Sequence, residues 1–272
     1  MTNLAWYAII ITQIVAESLP ISSSGHVALL SMIFGFIPYD MGPCLTVHSS
    51  WLMEQLRARS VDHFLHGPTF CIVALFFYRR WAALLKCWRR TVSMIAKLIL
   101  YVGIADAITA LFFVARRYIP LYHFPLGAGF IITGLALASL AWCTRQGGKL
   151  NVKNAIILGV VQGCAMLPGV SRFATTYAAA RWLSLSDRHA LETSWMIQMP
   201  LIGISFLHSL IIFWQMGIPD QILNLHTAFV MMGASIGGWY ALRFAAYVSD
   251  RQKMWWFACY MVLPFVVWVF YR

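Results

Sequence analysis

Apolar residues run through this chain in ten stretches, separated by short polar segments or by breaks that contain proline and glycine. Such stretches predict α-helices, and the longer ones reach the roughly 20 residues needed to cross a hydrocarbon core of about 30 Å. No polar segment is long enough to form a second soluble domain. We therefore predict an all-α, polytopic membrane protein with one membrane domain over residues 1–272. The ten stretches are residues 4–18, 24–37, 62–78, 93–115, 127–144, 154–167, 173–184, 191–214, 226–248 and 254–271.

The stretches divide into two halves of five with a similar order of lengths. In each half the first two stretches are short and flank a polar turn with proline, LPISSSGH at 19–26 and LPGVSR at 167–172. Neither short stretch spans a bilayer alone, so each pair is predicted to form a re-entrant helical hairpin. Three full spans follow each hairpin, and because three is odd, the second half enters with the opposite orientation. The sequence thus predicts two inverted repeats, approximately 1–144 and 145–272, with about six full spans plus two hairpins.

The charged residues set the expected orientation. The chain is 61% hydrophobic and only 11% charged, and its formal net charge is +11. The basic residues lie mostly in short loops beside apolar stretches, so we expect no nucleic-acid partner and interpret them as topology signals. Alternate loops carry eleven basic residues on one face and five on the other, which predicts that the richer face is cytoplasmic. The richer face has Arg79, Arg80, Lys86, Arg89, Arg90, Arg145, Lys149, Lys153, Arg188, Arg251 and Lys253, and the poorer face has Arg57, Arg59, Arg116, Arg117 and Arg272.

In this orientation both termini and the mouth of the first hairpin face outward, and the second hairpin enters from the cytoplasm. The two turns are expected to meet near the midplane.

Residues 4–19 lack the basic start and the cleavage site of a signal peptide, so we expect them in the mature chain. The six cysteines follow no paired metal spacing and are expected to pack within the membrane; they are Cys44, Cys71, Cys87, Cys143, Cys164 and Cys259.

Three ionisable residues lie at the predicted breaks: Glu17 before the first, His26 just after it, and Arg172 in the second. Charge within a bilayer is costly, so such residues usually line a cavity or pathway. Each break also leaves the N-terminus of a half-helix inside the protein, where N–H groups and the positive end of the dipole bind anions. With an arginine that bonds phosphate bidentately, these features predict a phosphate site. The surrounding hydroxyls are Ser22, Ser23, Ser24, Ser171, Thr175 and Thr176.

A carboxylate beside a phosphate needs an explanation, because the two repel each other. Glu17 is expected to hold a divalent cation that bridges to the phosphate, or to act as a base. The imidazole of His26 is suited to activate a serine hydroxyl or to attack phosphorus itself. Hydrolysis therefore explains this set of residues better than binding alone.

Each feature also has a simpler explanation. SSSG is an ordinary helix N-cap, and PG is an ordinary turn. A lone intramembrane His26 more often joins two helices, and Glu17 alone suits a transporter's proton carrier. The co-location of these residues in matching breaks favours a site. Asp106, inside a full span, is the strongest rival. Tryptophans and tyrosines are expected in interfacial belts and core packing, and no chemistry is assigned to His48, His63, His66, His123, His189, His208 or His226.

Two motifs make the chain resemble the undecaprenyl-diphosphatase family, also called bacitracin-resistance proteins. The first is Glu or Gln, three residues, Glu, and then a Pro, Ser-rich, Gly-His turn, here QIVAESLPISSSGH at 13–26. The second is PGxSRSxxT, here PGVSRFATT at 168–176. The order and spacing of the motifs and the hydropathy of nearly the whole chain also agree with this family.

The resemblance implies a hydrolase of the bacterial inner membrane that releases phosphate from undecaprenyl diphosphate, the carrier lipid of peptidoglycan synthesis, at a periplasm-facing site. It implies a divalent cation, Mg²⁺ or Ca²⁺, linked to Glu17 and Gln13. His26 is implied as the catalytic imidazole and Arg172 as the phosphate clamp, while the nucleophile, His26 or Ser23, stays open. Membrane lipids are further partners, and a homodimer is one assembly left open. The implied phosphate-binding residues are Ser22, Ser24, Gly25, Gly169, Ser171 and Thr176.

The chain departs from the second motif at two positions. Phe173 replaces the second serine and Ala174 stands where glycine is usual, so the turn is expected to lose a hydroxyl and some backbone freedom. Gln13 leaves a single carboxylate in the first motif, which weakens the expected metal binding. Two rival functions therefore stay open: a carrier that flips polyprenyl phosphate or moves a small anion, and a catalytically weak homologue.

Overall fold

The computed structural model describes residues 3–34, 60–115, 118, 124–144 and 147–272, and every regular element in these ranges is a helix. A helical turn at 60–64 leads into α3, and a 3₁₀ turn at Ser139–Trp142 follows α5. The all-helical prediction is confirmed. In chain order the helices are α1 (Asn3–Glu17), α2 (Ser23–Ile33), α3 (His66–Lys86), α4 (Trp88–Ala115), α5 (Leu126–Ala138), α6 (Val152–Cys164), α7 (Arg172–Trp182), α8 (Asp187–Met216), α9 (Asp220–Leu223), α10 (Leu225–Asp250) and α11 (Trp256–Tyr271).

Three helical segments are long and apolar enough to cross a membrane: Ser60–Lys86, Thr91–Ala115 and Asp187–Met216. Their outward side chains include exposed large hydrophobics such as Leu111 and Trp214, which are 68% and 88% accessible. Such surfaces are suited to lipid contact. Five shorter apolar helices, of 10–17 residues, are also present.

Both predicted interruptions are present. The first helix ends at Glu17, and α2 begins after Ser22, whose hydroxyl accepts a hydrogen bond from the amide of Gly25. The second break separates α6 from α7, which begins after Ser171. A serine side chain at each N-cap satisfies one of the amides that the new helix leaves without an intrahelical partner. The last residues of the second predicted stretch, 35–37, lie outside the described residues.

The predicted loop between the third and fourth stretches is instead helical. Helix α3 continues to Lys86, and α4 begins two residues later. Arginine and lysine favour helices and can extend along the apolar surface towards water, so basic side chains did not end these helices. Arg80, predicted in a loop, pairs with Glu192 of α8 at 2.5 Å. The positions Arg57, Arg59, Arg116, Arg117, Arg145, Cys44, His48 and His123 lie outside the described residues.

The closest helix packing joins the two halves of the sequence. In the predicted repeat, α1 to α5 of the first half correspond in order to α6, α7, α8, α10 and α11 of the second. Helix α4 packs along α6, and the corresponding pair, α10 and α1, also packs closely. Helix α5 packs on its counterpart α11, and α3 packs on its counterpart α8. The helix before each break therefore packs on a long helix from the other half of the sequence.

Candidate active site

The two interrupted turns touch each other. A Cβ added to Gly25, in the first turn of α2, would lie 2.9 Å from the Cα of Gly169. The hydroxyl of Ser22 donates to the carbonyl of Val170 at 3.5 Å. Gly169 has a φ of 79°, a left-handed conformation that glycine adopts at little cost. The predicted glycines Gly25 and Gly169 thus form the contact between the two breaks.

Helix α5 holds the second turn in place. The hydroxyl of Thr133 donates to the carbonyl of Gly169 at 3.2 Å and accepts from the amide of Ser171 at 2.9 Å. A Cβ added to Gly129 would lie only 1.9 Å from the carbonyl oxygen of Pro168. Neither Thr133 nor Gly129 was predicted as a functional position, because nothing in the motifs indicates which helix supports the turn.

We expect Gly129→Ala to lower stability by about 1–3 kcal/mol, because the new methyl group must push the second turn away from α5. Thermal unfolding of the purified protein in detergent measures the change. Gly103→Ala is the matched control: Gly103 is also helical, but its added Cβ would meet nothing within 4 Å. An equal change in both variants would contradict the proposed close contact.

Glu17 is buried, with 4% of its surface exposed, and its two oxygens have different partners. Its Oε2 accepts from Nδ1 of His66 at 2.7 Å and from the side-chain amide of Gln13 at 3.3 Å. Its Oε1 has no hydrogen-bond partner and lies 3.9 Å from Nη2 of Arg172. The structure therefore brings Glu17 and Arg172 together, with one carboxylate oxygen fixed and the other facing the guanidinium.

His66, to which the sequence analysis assigned no chemistry, forms the shortest contact to Glu17, with its Nδ1 2.7 Å from Oε2. The ring is buried at the start of α3, on a different helix from Glu17. Two further histidine rings lie nearby. The centroid of His63 is 6.1 Å from that of His66, and the centroid of His208 is 6.3 Å from that of His63. The available signal was the density of ionisable residues at 62–66, within a stretch that is otherwise apolar.

His26 is held by both ring nitrogens. Its Nδ1 lies 2.6 Å from the carbonyl oxygen of Ser22, and its Nε2 lies 3.0 Å from the hydroxyl of Tyr260. Because a carbonyl only accepts, Nδ1 carries the proton and Nε2 accepts from the tyrosine. The ring of Tyr260 also stacks on the imidazole, at 5.7 Å between centroids and 12° between planes. Tyr260, expected to belong to an interfacial belt or the core, is thus a partner of His26.

The three predicted ionisable residues are only partly gathered. Across residues 3–34 and 124–272, no hydrogen bond or ion pair joins His26 to Glu17 or Arg172. Their connection is the contact of the two turns, through Ser22 and Val170. The Glu17–Arg172 pair and the His26 ring are therefore separate parts of one site.

Several predicted phosphate-binding hydroxyls have local partners. Ser22 and Ser171 cap the helices that follow them. The hydroxyl of Thr176 donates to the carbonyl of Arg172 at 2.7 Å, which supports the first turn of α7. Ser23 is half-buried and Ser24 is exposed. Thr175 likewise donates to the backbone, at the carbonyl of Ser171.

Phe173 lies in the core and not on the surface of the site. Its side chain is 2% exposed, and its ring packs on Trp195 with centroids 4.9 Å apart. Ala174, the second departure from the motif, is fully buried, and its amide donates to Ser171. The altered motif therefore removes a hydroxyl but adds no bulk to the site.

Asp106, the rival functional residue, has a partner within the fold. Its Oδ1 accepts from the side-chain amide of Gln162 at 3.1 Å. The same amide nitrogen lies 3.2 Å from the hydroxyl of Thr109 and 3.1 Å from the carbonyl of Ile197. Asp106 thus contributes to the packing of α4 on α6.

Two buried oxygens are suited to a divalent cation. Glu17 Oε1 and Gln13 Oε1 both lack a hydrogen-bond partner. Within the described ranges, no three His, Cys, Asp or Glu side chains are arranged to hold a metal. Mg²⁺ needs no such cluster, because it commonly binds one or two protein oxygens together with substrate phosphates and water. Both oxygens are of the type that Mg²⁺ binds, and they belong to residues four positions apart on α1.

Comparison with known proteins gives one consistent result. The family model described as "Bacitracin resistance protein BacA" matches residues 7–266. A protein of Rhodopirellula baltica named undecaprenyl-diphosphatase is 30% identical over 198 residues, covering 71% of this chain and 68% of that protein. A protein of the same name from Parabacteroides distasonis is 25% identical and covers 97% of both chains. Another, from Treponema denticola, is 28% identical and covers 92% of this chain and 90% of that protein.

Proposed function

Because this chain belongs to the bacitracin resistance protein BacA family, we propose that it is a membrane phosphatase that hydrolyses undecaprenyl diphosphate to undecaprenyl phosphate and inorganic phosphate. The observation that carries the proposal is the ion pair between the buried Glu17 and the partly exposed Arg172, at the contact of two interrupted helices. A guanidinium and two inward helix N-termini neutralise an anion there, in an environment of low dielectric constant. This enzyme would recycle the carrier lipid of cell-wall synthesis.

Each side chain has a role that follows from its position. Arg172 binds the oxygens of the terminal phosphate and stabilises the charge that develops during transfer. His26 presents the lone pair of Nε2 once Tyr260 moves aside, since Nδ1 is held by Ser22. The imidazole then either attacks phosphorus or takes the proton of the Ser23 hydroxyl as that oxygen attacks. The bond to the bridging oxygen breaks, the lipid leaves as its monophosphate, and water releases the phosphate.

We further propose that Glu17 and Gln13 hold a divalent cation, Mg²⁺ or Ca²⁺. When bound, the cation supplies positive charge to the phosphate oxygens. His66 fixes the orientation of Glu17 by bonding its other oxygen. Ser22 and Ser171 support the anion site by capping the helices whose N-termini face it, and the exposed Ser24 lies beside them.

The phosphate-release assay tests this function directly. Purified protein is incubated with undecaprenyl diphosphate, with and without a divalent cation, and inorganic phosphate is measured. We expect cation-dependent release that is reduced at least tenfold in His26→Ala, because general acid–base groups contribute about 10²–10⁴-fold. Thermal unfolding of the variant checks that it is folded. No release by the folded wild-type protein would contradict the proposal.

A carrier is the second candidate, and the broken helices with matched packing partners are what favour it. It predicts transfer of a labelled polyprenyl phosphate between leaflets of proteoliposomes without release of phosphate. Translocation without hydrolysis would therefore replace the first proposal by the second.

We also propose six full spans, two re-entrant hairpins and two inverted repeats in the bacterial inner membrane, with the site open to the periplasm. The matched helix pairs support the repeat, and the distribution of basic residues supports the orientation.

Cys87 tests this orientation, since it is exposed between α3 and α4. In a variant that keeps only this cysteine, we expect a membrane-impermeant maleimide to label permeabilised cells but not intact ones. A variant with a single cysteine in place of Tyr118, which is 82% exposed and lies on the predicted outward face, is the outward control. Labelling of Cys87 in intact cells would reverse the orientation.

A further inference from the structure

A groove lies between the first hairpin and helices α10 and α11, next to the candidate active site. It has a volume of about 550 Å³, and its wall is apolar apart from Thr12, His26 and Tyr260. Aromatic rings from α10 and α11 form one side, and aliphatic side chains of α1 and α2 form the other. Its lining includes Val15, His26, Phe244, Trp256, Phe257 and Tyr260.

His26 connects the groove with the site. It follows the first turn by one helical turn of α2, and its ring forms part of the wall of the groove. A phosphate held at the contact of the two turns needs an apolar path for any chain attached to it, and His26 places the wall of the groove within one helical turn of that contact.

We propose that this groove binds the first isoprene units of a polyprenyl chain, and that Tyr260 couples the presence of that chain to the availability of His26. This inference rests on the proposed phosphatase function and adds a chain-recognition site and a specificity residue to it. A phosphodiester lipid such as phosphatidylglycerol is a poorer occupant, because its phosphorus carries a second organic substituent. The terminal phosphate of a prenyl diphosphate carries none, so more of its oxygens are free to bind Arg172 and the helix N-termini.

Tyr260 is shared by the groove and the catalytic ring. Its hydroxyl donates to Nε2 of His26 at 3.0 Å and so occupies the only lone pair that this tautomer offers. Its ring, which is 39% exposed, stacks on the imidazole and also lines the groove. The side chain that occupies Nε2 of His26 is therefore the same one that a chain in the groove contacts.

The consequence is a preference for long-chain substrates. A prenyl chain in the groove packs against the ring of Tyr260 and displaces its hydroxyl from Nε2, which leaves the imidazole free for catalysis. A diphosphate without a chain long enough to fill the groove does not displace Tyr260, so its turnover bears the cost of breaking that hydrogen bond.

Tyr260→Phe separates these roles, because it keeps the ring and removes the hydroxyl. We expect kcat for a short-chain prenyl diphosphate to rise about fivefold, the equilibrium equivalent of one neutral hydrogen bond. We expect kcat for undecaprenyl diphosphate to change less than twofold, because its bound chain has already displaced the hydroxyl, so the long-to-short ratio of kcat falls about fivefold. Tyr240→Phe, at an exposed tyrosine of α10, is the matched control and should keep the wild-type ratio. Equal changes for both substrates in Tyr260→Phe would overturn the coupling.

Photolabelling tests the groove without requiring turnover. A polyprenyl monophosphate with a diazirine near its head group is cross-linked to the full-length protein in nanodiscs, and the labelled peptides are mapped. We expect label on Val15, Phe244, Trp256 and Phe257, removed by excess polyprenyl phosphate but not by excess phosphatidylglycerol. Label spread over the lipid-facing surface of α4, or removed equally by the phospholipid, would overturn the groove assignment.

The two proposals fail separately. Specific labelling without phosphate release keeps the groove and rejects the phosphatase. Phosphate release without specific labelling keeps the phosphatase and rejects the groove.

Discussion

Arg172→Lys is expected to lower kcat/KM for phosphate release by about 10²–10³-fold, the usual effect of removing one preorganised donor from a transition state. Lysine keeps the positive charge beside Glu17, whose Oε1 lies 3.9 Å from the guanidinium. It loses the planar fork that binds two phosphate oxygens at once. The lower kcat/KM therefore comes from poorer phosphate-binding geometry. The buried carboxylate of Glu17 still has a positive charge beside it.

A phosphate-release assay at several substrate concentrations checks this prediction. We expect most of the change in kcat, because the bidentate contact strengthens as charge moves onto the phosphoryl oxygens. Arg188→Lys is the control, since Arg188 is an exposed arginine in the first turn of α8. Thermal unfolding of both variants should match the wild type. Wild-type activity in Arg172→Lys would remove this residue from the site.

The positions of the breaks could be predicted from sequence because their causes are local. Proline, serine and glycine within a few residues end one helix and cap the next, as at Ser22 and Ser171. The glycines at the contact were likewise visible in the motifs. Gly169 has the positive φ that makes glycine favourable there. Local signals thus predicted the turns and the residues in them.

The partners of these residues could not be predicted in the same way, because they come from distant parts of the chain. Tyr260 is 234 residues from His26, His66 is 49 from Glu17, and Thr133 is 38 from Ser171. Each partner is set by which helices pack together, which one sequence does not specify. The proximity of Glu17 and Arg172 was predicted only because two matching breaks suggested that their turns meet.

The altered second motif shows a different limit. Comparing Phe173 with the motif's serine predicted a change in the site, but a motif does not say which way a side chain points. Phe173 is the second residue of α7, and its ring packs on Trp195 and Tyr177 in the core. Its neighbour Arg172 keeps 28% of its side chain accessible beside Glu17. Successive residues of a helix point in different directions. Phe173 therefore packs in the core while Arg172 lies beside Glu17.

Arg181→Met is expected to lower the stability of the protein by about 3–5 kcal/mol, because it leaves a largely buried carboxylate without its cation. The Nε of Arg181 lies 2.9 Å from Oδ1 of Asp187, and the two side chains are 3% and 13% exposed. Arg181 also donates to the carbonyls of Leu185 and Cys143. The hydroxyl of Tyr177 donates to the same carboxylate oxygen at 3.0 Å, and that tyrosine bonds Ser249 of α10. This network joins the end of α7 to the start of α8 and to α10.

Denaturant or thermal unfolding of the purified protein measures the effect, and a double-mutant cycle assigns it to the pair. Asp187→Asn removes the charge but keeps a similar shape, so the double variant with Arg181→Met should be less destabilised than the sum of the single variants. Arg243→Met, at an exposed arginine of α10, controls for loss of a positive charge alone. Because the network lies at the opposite end of α7 from Arg172, its loss should reduce the folded fraction while the remaining folded protein keeps its kcat. Additive single effects would show that Arg181 contributes through packing and its carbonyl contacts, and that the ion pair itself adds little.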